Sequence, residues 1–491
     1  MTAADNKTQG SEVQYDMSKN EIKVALNDGS YLLDGYELVC GLEVHVELAT
    51  ATKLFSASAN RFGDDPNTHI DPVTLGLPGA LPVLNRQAVE LAMRIGLALN
   101  CKVQPSTFHR KNYFYPDMPK AYQISQYDQP INVDGWLELP GGKRIGVERA
   151  HLEEDTGKST HIGGTGGRIH GSDYSLIDFN RAGVPLVEIV GRPDIASPEE
   201  ARQYVTELRQ ILVAVGASDA KMEEGSMRCD ANVSVRKPGA PLGIRCEIKN
   251  VNSVRSLGRA IEYEARRQIV LLEAGEKIRQ ETRHWDETDG RTHTLRSKED
   301  ADDYRYFLEP DLVPLAPDAA WIERVRAALP PLPAARRAAL ATLTGAGKES
   351  ESVAVIVERG QDEYISAVAK VGGDAAHGCH RLVQRAEPAR QGDEGVGALE
   401  HRGLAAVHAV GDHHLLHAGM RHLAPAQEAG AGQQRRCADQ GPVGAEDRRP
   451  RGAHQPRHRA LPGAGEHRSR RRGLRVPAPG IRRQGHAVRA G

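Results

Sequence analysis

The stretch Tyr36–Leu48 (YELVCGLEVHVEL) alternates with a period of two. Leu42, Val44, Val46 and Leu48 fall on one side, and Glu43, His45 and Glu47 on the other. A helix would scatter both sets around its axis, so the pattern demands a strand with one buried face. Two carboxylates flanking an imidazole on one pleated face bring oxygen and nitrogen donors close together. Such a set can hold a hard or borderline divalent ion. It would equally suit the solvated face of an antiparallel strand, and this segment alone does not choose.

A second acidic group follows a strand-like stretch, Arg144–Leu152, that runs into His151-Leu-Glu-Glu-Asp-Thr-Gly157. In a regular strand Glu153 and Glu154 point to opposite faces. Both serve one site only if the backbone turns there, and Gly157 is placed to permit that. Adjacent carboxylates raise each other's pKa unless a cation neutralises them. The third piece is an expected hairpin with the turn Lys237-Pro-Gly-Ala-Pro-Leu-Gly243. Its polar face carries Arg228, Asp230, Asn232, Glu247 and Lys249. These could form cross-strand ion pairs that only stabilise the sheet. They are also what a metal–phosphate site requires, with acids for the metal and Arg228 and Lys249 for phosphate oxygens. Between these pieces, Arg110–Tyr122 mixes cations with aromatics, which suits base stacking or a phosphate contact and equally a set of core anchors.

The remaining pattern mixes strands with helices. Arg86–Asn100 and Ser253–Ala274 have helical apolar spacing, as does Ser197–Val215. In the last of these Ser197 is the expected N-cap, Pro198 the first helical residue and Glu200 the partner in a capping box, with Gly216 as the stop. Without a βαβ rhythm, the fold class is α+β. No P-loop is present, because Leu152 stands where the first glycine before Gly157-Lys158-Ser159 belongs. A net charge of −1 gives no global basicity, though a local basic face remains open. The 6 cysteines include no C-x-x-C pair, which argues against disulfides or a thiolate zinc site. Residues 1–34 are polar, and no stretch approaches the roughly 20 apolar residues needed to span a bilayer. A cytoplasmic location without membrane contact is the expectation.

These features divide the chain into a polar extension (1–34), a catalytic domain (35–315), the start of a helical domain (316–370) and a tail (371–491). After Lys370 there is no further Lys, Asn, Thr, Phe, Tyr or Trp, while Arg, His, Gly, Ala and Pro crowd in. Two readings stand. One is a basic, disordered arm that touches nucleic acid. The other is a GC-rich coding sequence read out of frame. Under either, the segment is expected to build no core.

Several segments together resemble the B subunit of the tRNA-dependent amidotransferases, the GatB family. They are GLEVHVEL (41–48), RKNYFYPDMPKAYQISQYDQPI (110–131), HLEEDTGKSTH (151–161), DFNRAGVPLVEIV (178–190), GSMRCDANVS (225–234), EIKNVNS (247–253) and DDYRYFLEPDL (302–312). The resemblance spans about residues 36 to 345. It implies a cradle-like catalytic domain that uses ATP and Mg2+ to phosphorylate the side-chain carboxylate of Glu-tRNA(Gln) or Asp-tRNA(Asn). Ammonia then displaces phosphate. It further implies metal-holding roles for Glu43, His45, Glu153, Glu154, Asp230 and Glu247. Phosphate roles for Arg228 and Lys249 rest on strand face alone. The implied partners are a glutaminase A subunit, a small C subunit and misacylated tRNA; the rival reading is a non-catalytic tRNA-binding scaffold. Some members carry a four-cysteine zinc site, where this chain has Ser56, Ser58, Asp71 and Thr74, so no zinc is expected. Beyond about Lys370 the family's helical and tRNA-binding tail domains find no match.

Overall fold

The computed structural model describes residues 14–16, 21–23, 35–163, 172–297, 304–347 and 350–384. All of these fall in one compact unit. Most of the expected 1–34 extension and the tail from 385 onward lie outside the described residues, as do Asp302 and Asp303.

The N-terminal strands β1 (Gln14–Asp16) and β2 (Glu21–Lys23) pair with each other. The main structure is a 12-stranded sheet centred on β3 (Glu37–Glu47). After β3 come helix α1 (Arg86–Ala98), β4 (Lys102–Val103), β5 (His109–Asn112), β6 (Tyr122–Ser125), β7 (Asn132–Glu138) and β8 (Arg144–Glu154). A separate hairpin, β9 (Lys158–Ile162) with β10 (Tyr174–Asp178), precedes β11 (Pro185–Gly191). Helix α2 (Pro198–Ala214), β12 (Met227–Arg236), β13 (Cys246–Val251), α3 (Val254–Glu273), β14 (Glu281–Asp286), β15 (Arg291–Ser297) and β16 (Phe307–Leu308) complete this part. Across the sheet the order is β15-β14-β13-β12-β3-β11-β8-β6-β5-β16, with β7 also on β8 and β4 on β7. The pairing is antiparallel except for β13 with β14. The α+β class follows, with one parallel pair inside an otherwise antiparallel sheet.

The apolar side of β3 forms the core as its alternation requires: Leu42, Val44, Val46 and Leu48 are buried with Met93 and Ile95 of α1, Leu208 of α2 and Ile261 of α3. Helix α1 packs against β7 and β8, and α3 against β12 and β13. The expected helix ends hold closely. Ser197 Oγ accepts the Glu200 N–H at 3.1 Å. Glu200 reaches back one residue further than a capping box predicts, accepting from the Ala196 N–H at 2.7 Å. Gly216 and Gly275 follow α2 and α3 with left-handed backbones.

Helices α4 (Ala319–Ala327), α5 (Pro333–Thr344), α6 (Glu351–Glu358), α7 (Asp362–Lys370) and α8 (Ala375–Gln384) follow. Leu340, Val353, Ile356 and Ile365 form a second, smaller core. That core also takes Ala375 and Cys379, so packed structure runs past the compositional break expected at Lys370. The reason is local: Asp374 accepts the His377 N–H at 2.9 Å, starting a helix whose small side chains fit the gap. No helix among the described residues is long and apolar enough to cross a membrane.

Candidate active site on the polar face of the sheet

Register brings four polar residues into a row across adjacent strands. His151 of β8 faces Glu188 of β11, Glu188 faces His45 of β3, and His45 faces Arg228 of β12. Directly paired residues share a face, so these side chains emerge together. Glu188 Oε2 lies 3.4 Å from His151 Nε2 and 3.9 Å from His45 Nε2. Glu153, two residues beyond His151, joins them, with Oε2 3.8 Å from His151 Nε2 and accepting from Ser125 Oγ at 3.2 Å. One donor atom each from His45, Glu153 and Glu188 falls within 4.8 Å of the others. Burial pushes the Glu153 carboxyl up, but His151, Lys111 and His45 together outweigh it and hold it down to about 2. An imidazole nitrogen and two carboxylates fit a divalent cation whose other positions are water or phosphate.

Sequence reasoning missed Glu188. A signal existed: it is the acid in the middle of the otherwise apolar strand β11, PLVEIVG. A carboxylate set among Leu, Val and Ile needs a polar partner across the strand pair, and His45 and His151 are those partners here.

The remaining sequence-predicted acids divide. Glu43 and Asp230 are cross-strand partners. Burial raises the Glu43 pKa, and the nearby charges of Glu188, Glu247 and Asp230 raise it further. Glu43 accepts from Asn232 Nδ2 at 2.9 Å. Glu247 lies opposite Asn232 and accepts from Thr282 Oγ1 at 3.0 Å. Lys249 bridges this group, with Nζ 2.5 Å from Asp230 and 3.0 Å from Glu247. Thus Glu43, Asp230 and Glu247 sit beside the histidine–glutamate group, the last two sharing the Lys249 ammonium.

Glu154 goes elsewhere. β8 stays regular through both glutamates, so the turn that would have let Glu153 and Glu154 share a site is absent. Glu154 instead meets Lys120 Nζ at 2.5 and 2.7 Å and accepts the Ile124 N–H at 2.9 Å. Arg228, assigned to phosphate from its strand face, donates to Asp155 at 2.6 Å. Burial raises the Asp155 carboxyl, but Arg228 and Arg181 pull it below the usual range.

In the segment Arg110–Tyr122, Arg110 is held by Glu309 at 2.7 and 2.8 Å and covers the Tyr122 ring. Phe114 and Tyr115 are exposed and are therefore not core anchors. In the loop after β3, the Thr74 N–H donates to Asp71 at 2.7 Å and the Ser58 N–H to Ser56 Oγ at 3.3 Å. Lys53, buried beside them, donates to the carbonyls of His69 and Phe179 at 2.6 and 3.2 Å. A further acid–histidine group, Asp286, Asp289 and His293, caps the β14–β15 turn, where its aspartates accept the Thr288 and Arg291 N–H groups.

Residues 38–323 match the profile of the GatB/GatE catalytic domain. A relative from Frankia casuarinae, named as the B subunit of an aspartyl/glutamyl-tRNA(Asn/Gln) amidotransferase, is 59% identical over 326 residues, covering 64% of this chain and 65% of the relative. Proteins of the same name from Nocardia farcinica and Thermobifida fusca are 53% and 54% identical over 369 and 341 residues. These matches cover 73% of this chain and 73% of the first, and 67% of this chain and 66% of the second. The chain thus spans about two thirds to three quarters of the relatives it matches.

Proposed function

The chain belongs to the GatB/GatE catalytic-domain family, and from that premise we propose that it is the carboxylate-activating subunit of a tRNA-dependent amidotransferase. The observation that carries the reading is the convergence of His45, Glu153 and Glu188 on one face, beside Glu43, Asp230, Glu247 and Lys249.

The substrate is the side-chain carboxylate of a glutamyl or aspartyl group esterified to tRNA. A carboxylate resists attack by ammonia because its leaving group would be an oxide. One carboxylate oxygen therefore attacks the γ-phosphorus of ATP, the bond to the bridging oxygen breaks, and ADP leaves with an acyl phosphate formed. Ammonia then attacks the acyl carbon, inorganic phosphate departs with the C–O bond pair, and the nitrogen loses a proton to give the amide.

His45, Glu153 and Glu188 would hold Mg2+, which when bound neutralises the charge on phosphate and carboxylate oxygens. His151 keeps Glu153 and Glu188 oriented through its contacts of 3.8 and 3.4 Å. Glu43, Asp230 and Glu247 extend the acidic lining, and Lys249 balances them. Lys249 and Arg228 then bind phosphate oxygens by exchanging a carboxylate partner for a phosphate one. Glu154, held by Lys120, is outside this set. Ammonia is supplied by a glutaminase A subunit, with a C subunit completing a heterotrimer.

The test is phosphate release from ATP by the chain assembled with its partner subunits. Release should require both Mg2+ and Glu-tRNA(Gln) or Asp-tRNA(Asn), and Glu153→Ala should remove it without disturbing assembly. Unchanged turnover in that variant would remove the metal assignment. Assembly and tRNA binding without any ATP turnover in the unsubstituted complex would favour the scaffold reading instead.

A further inference from the structure

Beyond β8 the sheet ends in β6, β5 and β16, and the loops flanking these strands carry a run of aromatic rings. Tyr127, just past β6, stacks on Tyr306, just before β16, with ring centres 4.1 Å apart and planes 11° from parallel. Tyr306 meets Tyr304 edge-on at 6.0 Å, and Lys111 Nζ lies 4.7 Å over the Tyr304 ring. His109 also meets Tyr127 edge-on, at 5.9 Å.

This run borders the histidine–glutamate group. Ser125, two residues before Tyr127, is the cross-strand partner of Glu153 and donates to its carboxylate. Burial raises the Tyr306 phenol, and the charges of Glu153 and Glu188 raise it further. Tyr127 nevertheless remains 56% exposed, although Tyr306 covers one of its faces. A largely exposed ring stacked on a second, in a run of rings that reaches a lysine at Tyr304, is the arrangement that receives an unpaired base while a cation balances its phosphate. Stacking of this kind is tolerant of base identity and suits a single-stranded end.

We propose that Tyr127, backed by Tyr306, is the stacking surface for the terminal base of the single-stranded 3′ end of an aminoacylated RNA. This rests on the function proposed above. The aminoacyl ester is borne on the terminal ribose, so fixing the terminal base beside the strand that carries Glu153 keeps the side-chain carboxylate near the metal-holding face. Tyr127 is thus a positioning residue: it touches the nucleotide and not the reacting atoms.

The probe is an RNA acceptor minihelix with 2-aminopurine as its unpaired 3′-terminal base, titrated with the full chain. Stacking on Tyr127 quenches the fluorescence. Tyr127→Phe should preserve the quenching, whereas Tyr127→Ala should abolish it and weaken binding about tenfold. Tyr127 is exposed, so neither change threatens the fold, and circular dichroism verifies this. Quenching without metal-dependent ATP turnover in the assembled enzyme would leave the stacking surface standing and sink the proposed function. No quenching by the unsubstituted chain, or equal quenching by Tyr127→Ala, would overturn the stacking surface whatever the ATP assay gives.

Discussion

Glu188 stands opposite His45 across the β3–β11 pair, with Oε2 3.9 Å from the imidazole Nε2. Its partner on the other side is His151, at 3.4 Å. One acid between two imidazoles, with Glu153 alongside, is the group proposed to hold a cation, and cross-strand register assembles it. If Mg2+ binds there, it stabilises the fold by mass action, by about 2.7 kcal/mol when free metal is about 100 times its dissociation constant. Glu188→Gln should remove that Mg2+-dependent rise in melting temperature and reduce ATP turnover about 100-fold or more, since even outer-shell changes cost about 10–100-fold. An unchanged metal response would sink the site.

The tandem glutamates should behave differently. Glu153→Gln should weaken metal binding, measured by calorimetric titration, and Glu154→Gln should not. Lys120→Met should instead unfold the protein more easily by about 3–5 kcal/mol, because it strands a buried carboxylate. The side chains of that pair are only 6% and 3% exposed. Equal loss of metal affinity in both glutamine variants would contradict the divergence along β8.

Helix α1 approaches the sheet so closely at Gly96 that a methyl group there would collide with the Asn132 amide. Asn132 is fully buried and donates to the carbonyls of Ala92 and Ala150 at 2.9 and 3.1 Å, tying α1 to β8. Gly96→Ala should cost about 1–3 kcal/mol by overpacking, visible in urea unfolding. Helix propensity alone would give the opposite sign.

Ser253 caps α3 directly after β13, accepting the Ser256 N–H at 3.0 Å. Ser253→Ala should lower stability by about 1 kcal/mol. The response to Mg2+ should persist, because the cap lies outside the proposed metal-holding group. A variant that lost metal binding along with the cap would tie α3 to the site in a way the geometry does not.

How much of this was legible in the chain follows from the range of each interaction. Period-two alternation placed Glu43 and His45 on one side of their strand, and Asp230, Glu247 and Lys249 on one side of the hairpin, because strand geometry is local. Helix ends at Ser197 and Ser253 were legible for the same reason: a cap is written within four residues. The regularity of β8 at Glu153 and Glu154 was not, since whether a strand turns depends on its neighbours. Here β11 pairs through Glu154 and removes the freedom that Gly157 offered.

The sequence by itself determined which side chains share a strand face, where the long helices start, and which family the chain resembles. Only the tertiary structure decided that His45, Glu153 and Glu188 meet, that Lys249 takes Asp230 and Glu247, and that Tyr127 lies on Tyr306. Residues far apart in the chain acquire a common position only through cross-strand register. Register is set by how the whole apolar face packs against α1, α2 and α3, and no single segment carries that information.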